Sequence, residues 1–301
     1  MAVKPPGSLV ERAAERLRAP AGAVAAALNA ETAATPAGGR LHTVFDVRLD
    51  WRRLSRAGIF SPATHANRTT EEIRLVKQAA VQRATEAAQA GLPTAPLMMV
   101  TSTREGEGKS FIAANLALSI AAEEGRSAVL IDADPSRSAV AAIFGVESKR
   151  GLLDAIVDER VRPADVLIGT DVEGLYIVPA GRQQALSAEL FAGERTTSFL
   201  KRLMVECPGA FFIVDAPPVL ATTEASALAR QVAQILYVVE AERIGRAEIA
   251  EALGLVSMCP NIGFVLNKMR FQFGSVRFGN YYRYYQRGRR GSRRAAALGQ
   301  T

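Results

Sequence analysis

A chain of 301 residues, 49% of them hydrophobic, can form one large α/β domain with appendages and a sizeable core. Its net charge of +7 is uneven: residues 252–301 hold nine Lys and Arg and no Asp or Glu, which leaves −2 for the rest, so the pI of 9.7 describes a tail and gives no ground for a nucleic-acid-binding body. Cys207 and Cys259 stand far apart with no Cys or His at metal-ligand spacing, which excludes a disulfide framework and a structural zinc site. The absence of a signal-peptide core, or of any apolar run near the roughly 18 residues that span a bilayer, sets the expectation of a soluble, cytoplasmic protein with no direct membrane span.

Residues 1–66 read as an N-terminal extension. Within 8–18, Leu9, Val10, Ala13, Ala14 and Leu17 share a helical face opposite Glu11, Arg12, Glu15 and Arg16, a helix that either docks on a partner or packs on its own domain. An Ala/Pro/Gly-rich linker follows over 19–39, then a mixed segment around Trp51. Neither His42 nor His65 has a carboxylate or Ser neighbour that suggests catalysis.

From residue 67 to 270 the pattern is that of a folded domain. A helix is expected over 69–90, ended by Gly91 and Pro93, and Glu71, Arg74 and Lys77 recur on it at a spacing of three. Short apolar runs then alternate with helix-length connections: 96–101, 128–132, 175–178, 210–215, 235–239 and 262–266. Continuous, β-rich runs so separated predict a doubly wound, mostly parallel sheet covered on both faces.

The first run leads into TSTREGEGKS (101–110), and a helical pattern over 109–124 follows. A strand, a glycine-containing loop and Gly-Lys-Ser opening a helix form the context of a phosphate-binding P-loop. Residues Thr103, Arg104, Glu105, Gly106, Glu107, Gly108, Lys109, Ser110 and Phe111 are therefore candidate nucleotide contacts, with Lys109 reaching the β and γ phosphates of ATP and the Ser110 hydroxyl on Mg²⁺. Thr103 replaces the first glycine of the usual pattern. The runs VLIDAD (129–134) and FFIVDAPP (211–218) put Asp132, Asp134 and Asp215 at the carboxyl ends of buried strands, where open α/β sheets bind their ligands. One such Asp could simply cap the next helix, but three at matching strand ends favour a site.

Together these motifs resemble the Walker A, A′ and B motifs of the bacterial tyrosine kinases, the capsule and exopolysaccharide autokinases, over roughly residues 69–285. Within that family the chain is most similar to the exosortase-A-associated tyrosine autokinases, through SLVERA (8–13), GLLD (151–154), PAG (179–181) and AELFAGER (188–195). The resemblance implies a P-loop fold of the MinD/ParA kind and ATP with Mg²⁺ as cofactors. It implies Lys109, Asp132, Asp134 and Asp215 as catalytic residues, and Ser110, Asp132 and Asp215 at the metal with support from Asp134. Asp132 would take or orient the proton of the incoming tyrosine, and Asn267 would contact the base. Glu71, Arg74 and Lys77 would form a subunit contact of a homo-oligomer such as a ring, against the plainer reading of a solvated salt-bridged face. Two positions depart from the family: Glu105 stands where Pro is common, and Arg137 falls one residue late after Asp134.

Beyond the last run, residues 271–301 read as a disordered basic tail that holds Tyr281, Tyr282, Tyr284 and Tyr285, four of the six tyrosines in the chain. Composition alone allows an aromatic-arginine segment that adheres to RNA or anionic lipid. The resemblance makes these tyrosines the autophosphorylation sites, with no specific nucleic-acid partner. About 14 extended residues span roughly 45 Å, enough to reach a neighbouring subunit's site. The resemblance further implies a membrane-embedded chain-length regulator that activates the kinase and holds it beside the inner membrane. The competing readings are a MinD/ParA-type positioning ATPase, disfavoured by Arg104-Glu105 in the signature lysine slot and by the tyrosine tail, and a non-catalytic ATP-binding regulator of polysaccharide export.

Overall fold

The computed structural model describes residues 47–59, 68–146, 150–184 and 187–269. The expected helix over 8–18, the linker, His42, His65 and the tail with its four clustered tyrosines lie outside these residues.

Seven strands form one sheet in the order β3-β4-β2-β5-β1-β6-β7: β1 (Leu97–Ser102), β2 (Ala128–Asp132), β3 (Ile168–Gly169), β4 (Leu175–Val178), β5 (Phe211–Asp215), β6 (Gln234–Glu240) and β7 (Asn261–Asn267). All pairings are parallel except β3 with β4. Strands β1, β2 and β4 are buried along their whole length, because helices cover both faces and an apolar run then outcompetes alternation. The six expected runs each match a strand to within a residue or so at either end. The two-residue β3 lies outside those runs.

One face is covered by α1 (Trp51–Arg56), α2 (Arg68–Gln89), α3 (Lys109–Ala121) and α4 (Ala139–Phe144), around Ile73, Ile112, Leu116, Ile120 and Phe144. The other is covered by α5 (Leu152–Val157), α7 (Glu194–Glu206) and α9 (Arg246–Leu255), with α6 (Ser187–Ala192) and α8 (Glu224–Leu228), around Leu153, Phe191, Phe199, Leu203 and Phe212. Helix α3 is buried nearly all round, as suits a helix wedged against β1, β2 and β5. It ends at Ala121, ahead of the expected Glu124.

Residues 47–59 join this domain although the sequence pattern assigns them to the extension. Val47 bridges to Thr170, Asp50 caps α1 by accepting from the Arg52 and Arg53 amides at 2.9 and 3.2 Å, and Leu49, Leu54 and Ile59 are buried in the core. At the opposite margin of the sheet, β7 is only partly covered, with Phe264 and Leu266 more than half exposed.

A candidate nucleotide site at the strand ends

Because the central strands run parallel, Ser102, Asp132, Asp215, Glu240 and Asn267 all finish at one edge of the sheet. The loop between β1 and α3 crosses that edge. Gly106 and Gly108 have φ of 82° and 96°, the left-handed region open to glycine. A Cβ at Gly108 would also lie 2.1 Å from the Asn267 Nδ2, so only glycine fits there.

Buried polar contacts hold the loop in shape. The Glu107 carboxylate is fully buried and accepts from the Arg104 amide at 2.5 Å and the Glu240 amide at 2.9 Å, which ties the loop to the end of β6. Asn267 donates to the Glu107 carbonyl at 2.8 Å and the Lys268 ammonium donates to the Gly106 carbonyl at 2.6 Å, which ties it to the end of β7. Thr103, in the slot of the missing glycine, shares a 3.0 Å hydrogen bond with the Tyr237 hydroxyl. Burial, against the lowering influence of that bond, pushes the Tyr237 phenol up to about 12, so it stays protonated.

Lys109, at the first turn of α3, is almost wholly buried and donates to Asp134 Oδ2 at 2.8 Å. Burial alone would raise the Asp134 carboxyl, but the hydrogen bond and charge of Lys109, helped by Ser136 and Arg137, carry it below the ordinary carboxylate range. Asp132 and Asp215 are register partners on β2 and β5, and both are fully buried. Asp132 accepts from the Asp134 amide at 3.0 Å and from the Val140 amide in the first turn of α4 at 3.2 Å, so it does cap the next helix. Burial first and the Asp215 charge second still raise it to about 7. Burial also raises Asp215 to about 6, with the Lys109 charge and the Ser110 hydroxyl opposing the rise. Neither Asp215 oxygen has a partner in full hydrogen-bond geometry.

An unpaired buried carboxylate is costly unless something binds it, and here it lies beside Ser110 at the foot of a loop shaped to cradle phosphate. These residues fit a nucleotide with a divalent ion: Ser110 and Asp215 would hold the ion, and Lys109 and the loop amides the phosphates. Among the described residues no three Asp, Glu, His or Cys side chains converge on one ion position.

Residues 98–289 match the family described as the CobQ/CobB/MinD/ParA nucleotide binding domain. CapB of Staphylococcus aureus, assigned to the tyrosine-protein kinases, is 30% identical over 190 residues, 62% of this chain and 80% of its own length. The chain belongs to the bacterial tyrosine-protein kinase family. EpsB of Ralstonia nicotianae, assigned likewise, is 32% identical over 64% of this chain but only 26% of EpsB, so the kinase domain matches one part of a longer protein. Among solved structures, the VpsO kinase domain superposes with a TM-score of 0.52 and 25% identity, over 65% of this chain and 98% of that domain.

The kinase domain brings Lys109, Ser110, Asp132, Asp134, Asp215 and Asn267 to one sheet edge. It separates the three residues on α2. Arg74 and Glu71 form an exposed 2.8 Å ion pair within the helix, whereas Lys77 is buried, donates to the Ser119 carbonyl at 3.3 Å and pairs with Glu123. Lys77 thus docks α2 on α3 and is committed inside the fold. Arg104, in the signature lysine slot, pairs with Glu248 on α9 of its own chain at 2.7 Å. Glu240 was missing from the sequence-derived site although it anchors three groups: its amide donates to Glu107, and its carboxylate pairs with Arg243 at 2.7 Å and Lys268 at 3.2 Å. The readable signal was a charge one residue past an apolar run.

Proposed function

We propose that this chain is an ATP-dependent protein-tyrosine kinase that phosphorylates Tyr281, Tyr282, Tyr284 and Tyr285 of a neighbouring copy. The observation that carries this reading is the buried, unpartnered Asp215 carboxylate beside Lys109 and Ser110, in register with a second carboxylate whose proton affinity suits a base near neutral pH. Membership of the tyrosine-kinase family and the tyrosine cluster in the chain support the choice of acceptor.

Lys109 gives up Asp134 for the phosphates of the bound nucleotide and neutralises part of their charge. Ser110 and Asp215 would hold Mg²⁺, which when bound would supply further neutralisation of the phosphoryl charge. Asp132, with each oxygen already accepting one backbone N–H, keeps lone pairs free for the proton of the acceptor hydroxyl. A free tyrosine has a pKa of about 10, so a carboxylate within reach that burial holds above the ordinary Asp range is a better-matched acceptor than an exposed Asp.

Full modification of the four tyrosines would add about −6 to −8 to a segment with nine basic residues, and this cancellation of most of its charge weakens self-association. The exposed Glu71 and Arg74 remain available for a subunit contact, and a membrane-embedded chain-length regulator activates the kinase in exopolysaccharide synthesis or export. Among the described residues no helix is long and apolar enough to cross a membrane, so in this reading membrane attachment runs through that partner. Incubation with ATP and Mg²⁺, then mass spectrometry of the tail, tests transfer; light scattering of wild-type, phosphorylated and four-Tyr→Phe protein tests assembly. Identical assembly of all three contradicts the charge-cancellation part.

A further inference from the structure

Glu105 and Arg137, the two departures from the family pattern, meet each other. Arg137 Nη2 pairs with Glu105 Oε2 across a separation of 32 residues. Glu105 sits on the phosphate loop, and Arg137 sits on the turn that leaves β2 three residues after Asp134. The pair therefore bridges the loop that carries Lys109 and the loop that carries Asp132 and Asp134.

Other cations around this edge have carboxylate partners off the phosphate loop: Lys109 with Asp134, Arg104 with Glu248, and both Arg243 and Lys268 with Glu240. Arg137 differs in that its carboxylate partner is on the loop itself. The side chains of Arg137 and Glu105 are 51% and 55% exposed, so water screens their attraction and the pair is easily exchanged. A nucleoside triphosphate would bring several negative charges to the loop. Those charges repel the Glu105 carboxylate and offer the planar Arg137 guanidinium a multivalent partner with better-matched oxygens than one carboxylate. Arg137 already lies within electrostatic reach of the buried site, since it helps stabilise the Asp134 carboxylate.

We propose that Arg137 changes partner when a nucleoside triphosphate binds, leaving Glu105 for the polyphosphate, and that Glu105 is a built-in competitor that lowers nucleotide affinity. Arg137 is then a specificity-determining contact for phosphate, and Glu105 sets how readily nucleotide is released. This inference rests on the nucleotide site proposed above but not on phosphoryl transfer.

The test is the dissociation constant of MgATP, measured by calorimetry on the full chain for wild type, Glu105→Gln, Arg137→Gln and the double variant. Both positions are half-exposed surface sites, where substitutions leave folding nearly unchanged, and equal melting temperatures verify this. Glu105→Gln should bind about fivefold more tightly, the size of one exposed charge interaction. Arg137→Gln should bind about tenfold more weakly, and the loss should persist when Glu105 is already Gln, because the arginine contacts the nucleotide. Unchanged or weaker binding by Glu105→Gln overturns the proposal. So does a loss below twofold for Arg137→Gln in the Glu105→Gln background, which would make the arginine a mere shield for Glu105. Failure of the wild type to bind MgATP would fail the nucleotide reading and this proposal with it, whereas an absence of phosphotyrosine bears on transfer alone.

Discussion

The ends of β2 and β5 make an instructive pair. Asp132 and Asp215 face each other in register on adjacent parallel strands, and both are wholly buried. Yet Asp132 is satisfied by two backbone amides, whereas Asp215 is satisfied by none. One carboxylate is therefore part of the fold that also faces the site, and the other is kept for a ligand. A buried carboxylate without partners persists only where function repays its desolvation.

The comparison breaks most sharply on substitution. Asp132→Ala leaves two buried amides unpaired, at a cost of about 1–3 kcal/mol each at most, and should lower the melting temperature of the ligand-free protein by several degrees. Asp215→Ala removes a buried charge that no hydrogen bond of full geometry satisfies and that the Lys109 charge only partly offsets, and should destabilise the ligand-free protein less than Asp132→Ala does while lowering Mg²⁺-dependent transfer by about 100-fold or more. Calorimetric melts of both variants without Mg²⁺ or nucleotide decide it. Equal destabilisation would contradict the division of roles.

The same pair sets a pH dependence. Asp132 at about 7 and Asp215 at about 6 bind protons more tightly folded than unfolded, where both would titrate near 3.8. Between those limits the folded state holds the extra protons, so stability without ligand should fall as pH rises from about 4 to 7. Melts at pH 5.5 and pH 8 should differ by several degrees in favour of pH 5.5, and Asp215→Ala should reduce the difference. The depressed carboxyls, Asp134 and Asp154, lose their contribution only as pH falls below the ordinary carboxylate range, outside this window.

A smaller effect probes the loop. Tyr237→Phe removes the partner of Thr103 and should cost about 1 kcal/mol of stability, with a modest weakening of MgATP binding. A larger loss of binding than of stability would mean that Thr103 positions the loop more than the two backbone ties of Glu107 do.

The central parallel strands were legible because burial on both faces writes a continuous apolar run into each, and the candidate site was legible because Asp132, Asp215 and Asn267 close such runs. Strand β3 was not, since two residues, one half-buried and one buried, carry no pattern. Helix α1 was also missed, although Asp50 before Trp51 offered a cap and Leu49, Leu54 and Ile59 offered apolar anchors within and on either side of the six-residue helix. Lys77 shows a signal misread: a spacing of three from Arg74 suggests a charged face, but Ile73, Lys77, Ala80 and Ala84 follow the buried stripe of α2, and the lysine stem lies along it. Long-range ties such as Glu107 to the Glu240 amide leave no local trace, because residues 133 apart in sequence share no local pattern.

Transfer from the nucleotide site to the tail is the step on which the proposed function stands. Purified protein incubated with MgATP, with Lys109→Ala and a four-Tyr→Phe variant alongside, should show phosphotyrosine confined to residues 281–285 by mass spectrometry of the tail. If the tail serves a neighbour, as proposed, wild type mixed with Lys109→Ala should modify the inactive copy. Phosphotyrosine that is absent even with the membrane activator present, or that persists in Lys109→Ala alone, would contradict the account.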